Sequence, residues 1–356
     1  MELQVQIDDV SACPGRCPGC VLSADERKVR EADMPHAVRG GVLSALGCYI
    51  DQIRPESVNI TYGIADHLLI GERYVGDLYA DTAKMLEASG FDGSNSTIFF
   101  STSLIATKDK AQAQLGYLSS IDKIAGIELI PVVVLDPQNL RHPKLGKQWR
   151  EYARMANEVF GRIDLALNLS ELACTMMTPK ELVDYAVEYG FKEVTVNWTP
   201  TDGNTAMTAS DLPGLFVWLA QFADLAEESS IRYSYGPILT RTANAVMCAY
   251  AESPLNVVLE RVLNPTIRHS IHIDSDGSLY PKFEAIGDVP HSFRFGYPRL
   301  GNVCEESISD ILGRGMPIIF SRILSVHMRD VRCSSCEYLN VCATTGFHVY
   351  NKVLDG

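Results

Sequence analysis

The run IELIPVVVL at residues 127–135 is apolar at almost every position and lacks the alternation of a half-buried strand. A strand buries both faces only when other layers cover both sides of its sheet, and parallel sheets with crossover helices provide that cover. Shorter runs of strand character accompany it: LQVQI at 3–7, VNITY at 58–62, STIFFS at 96–101, IDLALNL at 163–169 and EVTVNW at 193–198. Helical stretches fill the gaps. ELVDYAVEYG is one of them, entered through Thr178-Pro179 and closed by Gly190, the expected start and stop signals. Strand–helix alternation over six units predicts an α/β fold, a partial (β/α)6 TIM-like barrel that stays open. Functional residues in such folds sit at the carboxyl ends of the strands, so the residues that follow each run matter most.

The character of the chain changes after about residue 265. IRHSIHIDSDGSLYP at 267–281 alternates in polarity around Asp276-Gly277, a hairpin signal. A helix, ESISDILGRG, and a cysteine-rich tail follow. The expected division is a barrel over 1–235, a connecting segment over 236–265, and a small cysteine-rich hairpin and helix extension over 266–356. Within 203–265 only one helix, FVWLAQFADLAEE, can be read from the pattern.

Charge and hydropathy exclude several roles. The formal net charge is −13, so the chain as a whole carries no basic footprint for nucleic acid. No apolar run reaches the roughly 18 to 20 residues that span a bilayer. The start, MELQVQIDDVSACPG, lacks a basic segment followed by an apolar one. A cytoplasmic protein, with no membrane or nucleic-acid partner, is the expectation.

The cysteines carry the chemistry. There are 10, and disulfides explain them poorly in a chain without a secretion signal. Cys13, Cys17 and Cys20 stand as Cys-x3-Cys-x2-Cys directly after the first strand. Three thiolates on one short loop can hold three corners of an iron–sulfur cubane and leave one iron open. Zinc would call for a fourth Cys or His nearby, and none follows in the loop. This motif resembles that of the radical S-adenosylmethionine (SAM) superfamily. The resemblance implies a [4Fe–4S] cluster that chelates SAM, and cleavage of SAM to a 5′-deoxyadenosyl radical that abstracts a substrate hydrogen. Gly19 stands where the family usually has an aromatic residue. Other strand ends resemble the family's SAM contacts: Tyr62, Gly63 and Asp66 after the second strand, Ser101 and Ser103 after the third, and Asp136 after the fourth. Asn168 ends the fifth strand, and Asn197 and Thr199 the sixth. Asp66 also reads as a helix N-cap.

At the other end, Cys333, Cys336 and Cys342 stand as Cys-x2-Cys-x5-Cys. With the hairpin and LGNVCEESISDIL before them, they resemble the SPASM or twitch extension of radical SAM enzymes. Lys282 and Gly346 replace cysteines of a full SPASM module. The resemblance therefore implies one auxiliary [4Fe–4S] cluster, with Cys304 as fourth ligand. The residues alone leave a structural zinc site open.

The superfamily implies the first step and not its outcome. Modification of a ribosomally made peptide is the leading expectation, with flavodoxin or ferredoxin as electron donor. The first strand starts near residue 3, which leaves no room upstream for a peptide-recognition domain and weighs against a peptide, although a partner could bring the leader peptide. A dehydrogenase or epimerase of a sugar or aminocyclitol is the alternative, and an iron–sulfur scaffold or electron carrier is the non-enzymatic one. Cys174 and Cys248 are candidate hydrogen donors, although lone cysteines mostly pack as small apolar residues.

Overall fold

The computed structural model describes residues 1–10, 34–63, 65–169, 171–198, 212–235, 253–281 and 299–329, together with 334, 335, 339 and 340. All six expected strands are present: β1 (Glu2–Asp8), β2 (Ser57–Tyr62), β3 (Ser96–Thr102), β4 (Glu128–Leu135), β5 (Asp164–Leu169) and β6 (Glu193–Trp198). Each pairs in parallel with the next. Helices connect them, among them α1 (His36–Ile53), α2 (His67–Ile70), α3 (Glu72–Ala88), α4 (Lys108–Ser119), α5 (Pro137–Arg141), α6 (Pro143–Phe160), α7 (Glu171–Met176), α8 (Pro179–Tyr189) and α9 (Leu212–Glu228). The signals read at α8 act as expected. Thr178 and Glu181 form a reciprocal capping box, and Gly190 takes a φ of 75°, where a side chain would be strained.

Two features extend the sequence reading. A seventh parallel strand, β7 (Arg232–Tyr235), follows α9 and pairs with β6. The hairpin does not stand apart from the sheet. Its first strand, β8 (Ser270–Asp274), lies parallel against β1, with Gln6 opposite His272 and Asp8 opposite Asp274. β9 (Ser278–Pro281) and β10 (Gly301–Asn302) continue antiparallel beyond it. The sheet order is β10-β9-β8-β1-β2-β3-β4-β5-β6-β7. Among the described residues its end strands, β10 and β7, do not pair, so the sheet is not closed.

The two faces of this sheet differ. Leu3, Val5 and Ile7 of β1, Val58 and Ile60 of β2, and Ile271 and Ile273 of β8 are at most 1% exposed. They join helix residues such as Leu46, Tyr49, Leu78 and Trp149 in one hydrophobic cluster. At about 25 cal/mol per Å² of apolar surface, this burial is the main drive for folding. The alternate residues form a polar face: Gln4, Gln6 and Asp8 on β1 share register with Asn59, Thr61 and Gly63 on one side and with Ser270, His272 and Asp274 on the other. Among the described residues no helix is long and apolar enough to cross a membrane.

A candidate site at the carboxyl edge of the sheet

Parallel strands all end on one edge, so the residues that leave β1, β2, β3 and β8 meet there. The chain departs from β1 through Asp9 and Val10 and returns at Met34, whose amide donates to Asp9 O at 2.6 Å. Cys13, Cys17, Gly19 and Cys20 belong to the segment between these ends, outside the described residues.

Asp9 is fully buried. Its Oδ1 meets His67 Nε2 at 2.9 Å, and its Oδ2 accepts from Tyr74 OH at 2.8 Å. The other ring nitrogen, His67 Nδ1, faces Ser101 O at 3.2 Å. Both partners of the ring are acceptors, and only the doubly protonated imidazolium donates to both. Burial works against that charge, but the Asp9 carboxylate and the two hydrogen bonds outweigh it, and the His67 pKa lies above the ordinary histidine value.

The neighbouring turn is held by Asp66, which is 7% exposed. It caps α2 by accepting from Leu69 N at 3.2 Å. It also accepts from Thr102 Oγ1 at 3.0 Å, from Ser103 N at 2.8 Å and from Ser103 Oγ. Both readings of Asp66 meet in this geometry: it is an N-cap, and it lies at the edge beside Ser101 and Ser103. Leu104, next in the β3 turn, takes a φ of 50°, a left-handed conformation rare for a branched residue.

Gly63 lies directly beside Asp8. A Cβ there would stand 3.1 Å from Gln6 Nε2 and 3.4 Å from Asp8 Oδ1. Tyr62 turns the other way. Its hydroxyl lies 2.5 Å from Thr82 Oγ1 on α3 and its side chain is 2% exposed, so it serves the core and offers the edge only main chain. Asp136 caps α5, accepting from Gln138 N at 2.8 Å and Asn139 N at 3.0 Å. Asn168 and Asn197 are paired in register at the ends of β5 and β6. Thr199 lies outside the described residues.

Asp8, His67, His272 and Asp9 were not singled out by sequence. His272 Nε2 meets Asp8 Oδ2 at 2.7 Å across 264 residues of chain, and Gln6 Nε2 donates to Asp8 Oδ1 at 3.0 Å. The only available signal was polar residues at alternate positions of two otherwise apolar strands.

Of the cysteines, Cys304, Cys174 and Cys48 are described. Cys304 follows β10 on the same edge and is exposed. Its amide donates to Asn302 Oδ1 at 2.9 Å, and its sulfur lies 3.8 Å from Val38 O in the first turn of α1. Partial desolvation of the thiol, with the nearby Asp276 and Glu305 charges, raises its pKa. Cys174, on α7, is half-buried and packs against the core. Cys248, Cys333, Cys336 and Cys342 lie outside the described residues, and among the described residues no group of His, Cys, Asp or Glu stands ready to hold a metal.

No protein-family model and no curated protein matches the chain. Solved structures do. SuiB of Streptococcus suis, bound to its precursor peptide SuiA, is 17% identical, with a TM-score of 0.57 over 96% of this chain and 71% of SuiB. The enzyme anSMEcpe with bound AdoMet is 14% identical, with a TM-score of 0.63 over 96% of this chain and 88% of its own. With AdoMet and the Cp18Cys peptide it is 13% identical, with a TM-score of 0.60. The chain shares the fold of these proteins. The likeness spans nearly the whole chain. At such low identity the residues must make their own case, and the carboxyl edge is where they gather.

Proposed function

We propose that the chain is a radical SAM enzyme that modifies a peptide. The Cys-x3-Cys-x2-Cys spacing, between flanks that meet at the carboxyl edge of β1, carries this reading. The segment leaves at Val10 and returns at Met34, and Met34 is tied to Asp9 at the carboxyl edge of β1. Cys13 follows Val10 by three residues in the sequence. The donor set fits: three thiolates suit three corners of a [4Fe–4S] cluster, and no fourth Cys or His competes within the loop. When bound, the cluster and SAM supply a 5′-deoxyadenosyl radical that abstracts a substrate hydrogen.

The chain's own residues shape the place where this happens. In this reading the sheet curves as a partial barrel with its polar face inward. Gly63 lets the Gln6 and Asp8 side chains pack close against the main chain that leaves β2. Asp66 ties the β2 and β3 turns into one wall through Ser103 and Thr102. Gly19, Ser101, Ser103, Asp136, Asn168, Asn197 and Thr199 are the proposed contacts of SAM along the strand ends. An auxiliary cluster on Cys304, Cys333, Cys336 and Cys342, and an electron donor such as flavodoxin or ferredoxin, complete the proposal. Support for a peptide substrate comes from SuiB bound to a precursor peptide and anSMEcpe bound to the Cp18Cys peptide.

The test is anaerobic. The protein is reconstituted with iron and sulfide, reduced and given SAM, and 5′-deoxyadenosine is measured beside a Cys20→Ala control. Formation only in the unmutated chain is expected. A fully iron-loaded chain that forms none, with candidate peptides present, would overturn the reading in favour of a scaffold or electron carrier.

A further inference from the structure

The polar face beside β1 holds an aspartate–histidine pair that the reading above leaves unused. Asp8 is fully buried and accepts from His272 Nε2 and from Gln6 Nε2. A carboxylate only accepts, so in the neutral imidazole Nε2 carries the proton and Nδ1 keeps its lone pair. His272 is 6% exposed, and its one hydrogen bond among the described residues is the one through Nε2. On the same face Ser270 Oγ, two positions before His272, is buried and has no hydrogen-bond partner among the described residues. A buried polar atom left unmet costs about 1–3 kcal/mol, so Ser270 Oγ, beside an imidazole nitrogen with no hydrogen bond among the described residues, points to a hydrogen-bonding guest. Asp8 ends β1 at the carboxyl edge, close beside Gly63. A carboxylate that orients an imidazole whose second nitrogen stays open is the arrangement of a base.

We infer that His272, held in its Nε2–H form by Asp8, accepts a proton from an O–H or N–H group of the substrate. The step breaks that bond and forms the Nδ1–H bond of an imidazolium. The bonding electron pair stays on the substrate heteroatom, and Asp8 remains ionised and balances the charge. Asp8 is bonded to the ring and the Tyr280 ring centroid lies 6.0 Å from it, while Asp274 stands two positions further along β8. The inference rests on the radical SAM reading only for the reaction in which the proton is lost.

The experiment has two readouts. Nitrogen-15 shifts of the His272 ring, recorded on the iron-free chain, report its tautomer. Nε2–H is expected in the unmutated protein, and Nδ1–H in Asp8→Asn, whose amide can donate to Nε2. Product formed per 5′-deoxyadenosine is then compared in the reconstituted enzyme for the unmutated chain, Asp8→Asn and His272→Gln, with a fall on the order of 10²-fold expected in both variants. An Nδ1–H ring in the unmutated chain, or a ratio within about twofold in both variants, overturns the inference. The tautomer is read without iron, so it decides the pair's geometry even where the unmutated chain forms no 5′-deoxyadenosine, the result that sinks the radical reading instead.

Discussion

Replacing His67 by leucine tests whether the root of the cysteine segment is held by a buried ion pair. Asp9 and His67 are both fully buried, and the described geometry gives His67 an acceptor on each nitrogen. His67→Leu leaves the Asp9 carboxylate with Tyr74 OH alone of its two side-chain partners. Removing one member of a buried pair costs about 3–5 kcal/mol. Unfolding entropy of about 2.1 cal/mol/K per residue over 356 residues amounts to about 0.75 kcal/mol/K, so a loss near 4 kcal/mol lowers Tm by about 5 °C. The double variant Asp9→Leu, His67→Leu removes both charges and is expected to lose less than the sum of the single variants. The pH dependence has a fixed sign. Folding raises the His67 pKa above the ordinary histidine value of about 6.5. Its contribution is therefore complete below about pH 6.5 and fades as pH rises through the folded-state value. Denaturant titrations of the iron-free chain from pH 5 to 9 measure both effects. A loss below about 1 kcal/mol in His67→Leu, or an unchanged alkaline slope, would refute the ion pair.

Other substitutions probe the remaining contacts. Asp66→Ala leaves Leu69 N, Ser103 N and the Thr102 and Ser103 hydroxyls without their acceptor, and about 3 kcal/mol of stability should be lost in denaturant titration. Tyr62→Phe should cost about 1 kcal/mol through its bond to Thr82 and leave the SAM Kd unchanged by calorimetry, since the side chain faces α3. Cys20→Ala should lower the iron content of the reconstituted chain by roughly four atoms and abolish 5′-deoxyadenosine formation. Gly41→Ala would set a Cβ 2.9 Å from Cys304 Sγ. If Cys304 ligates the auxiliary cluster, this shift should change that cluster's electron paramagnetic resonance signal while the circular dichroism of the fold is retained.

The sequence by itself determined the alternating strands and helices, because each local run carries its own period and its own stop signals. Thr178 and Gly190 bound α8 through bonds to residues a few positions away, and such signals are legible from neighbours alone. The spacing of Cys13, Cys17 and Cys20 was legible for the same reason. Tertiary structure decided the rest. That β8 lies against β1 follows from which apolar faces are left to bury once the other strands have paired, and no local pattern records that choice. His272 therefore reads as one polar residue in a hairpin until pairing sets it opposite Gln6, with Asp8 in reach. Tyr62 read as an edge residue because it ends β2, yet the period of two along the strand turns it to the helices. Asp9 and His67 became partners only when β1 and β2 ended side by side. Hydrogen bonds and ion pairs act over a few ångströms, and only the folded sheet brings residues so distant in sequence within that range.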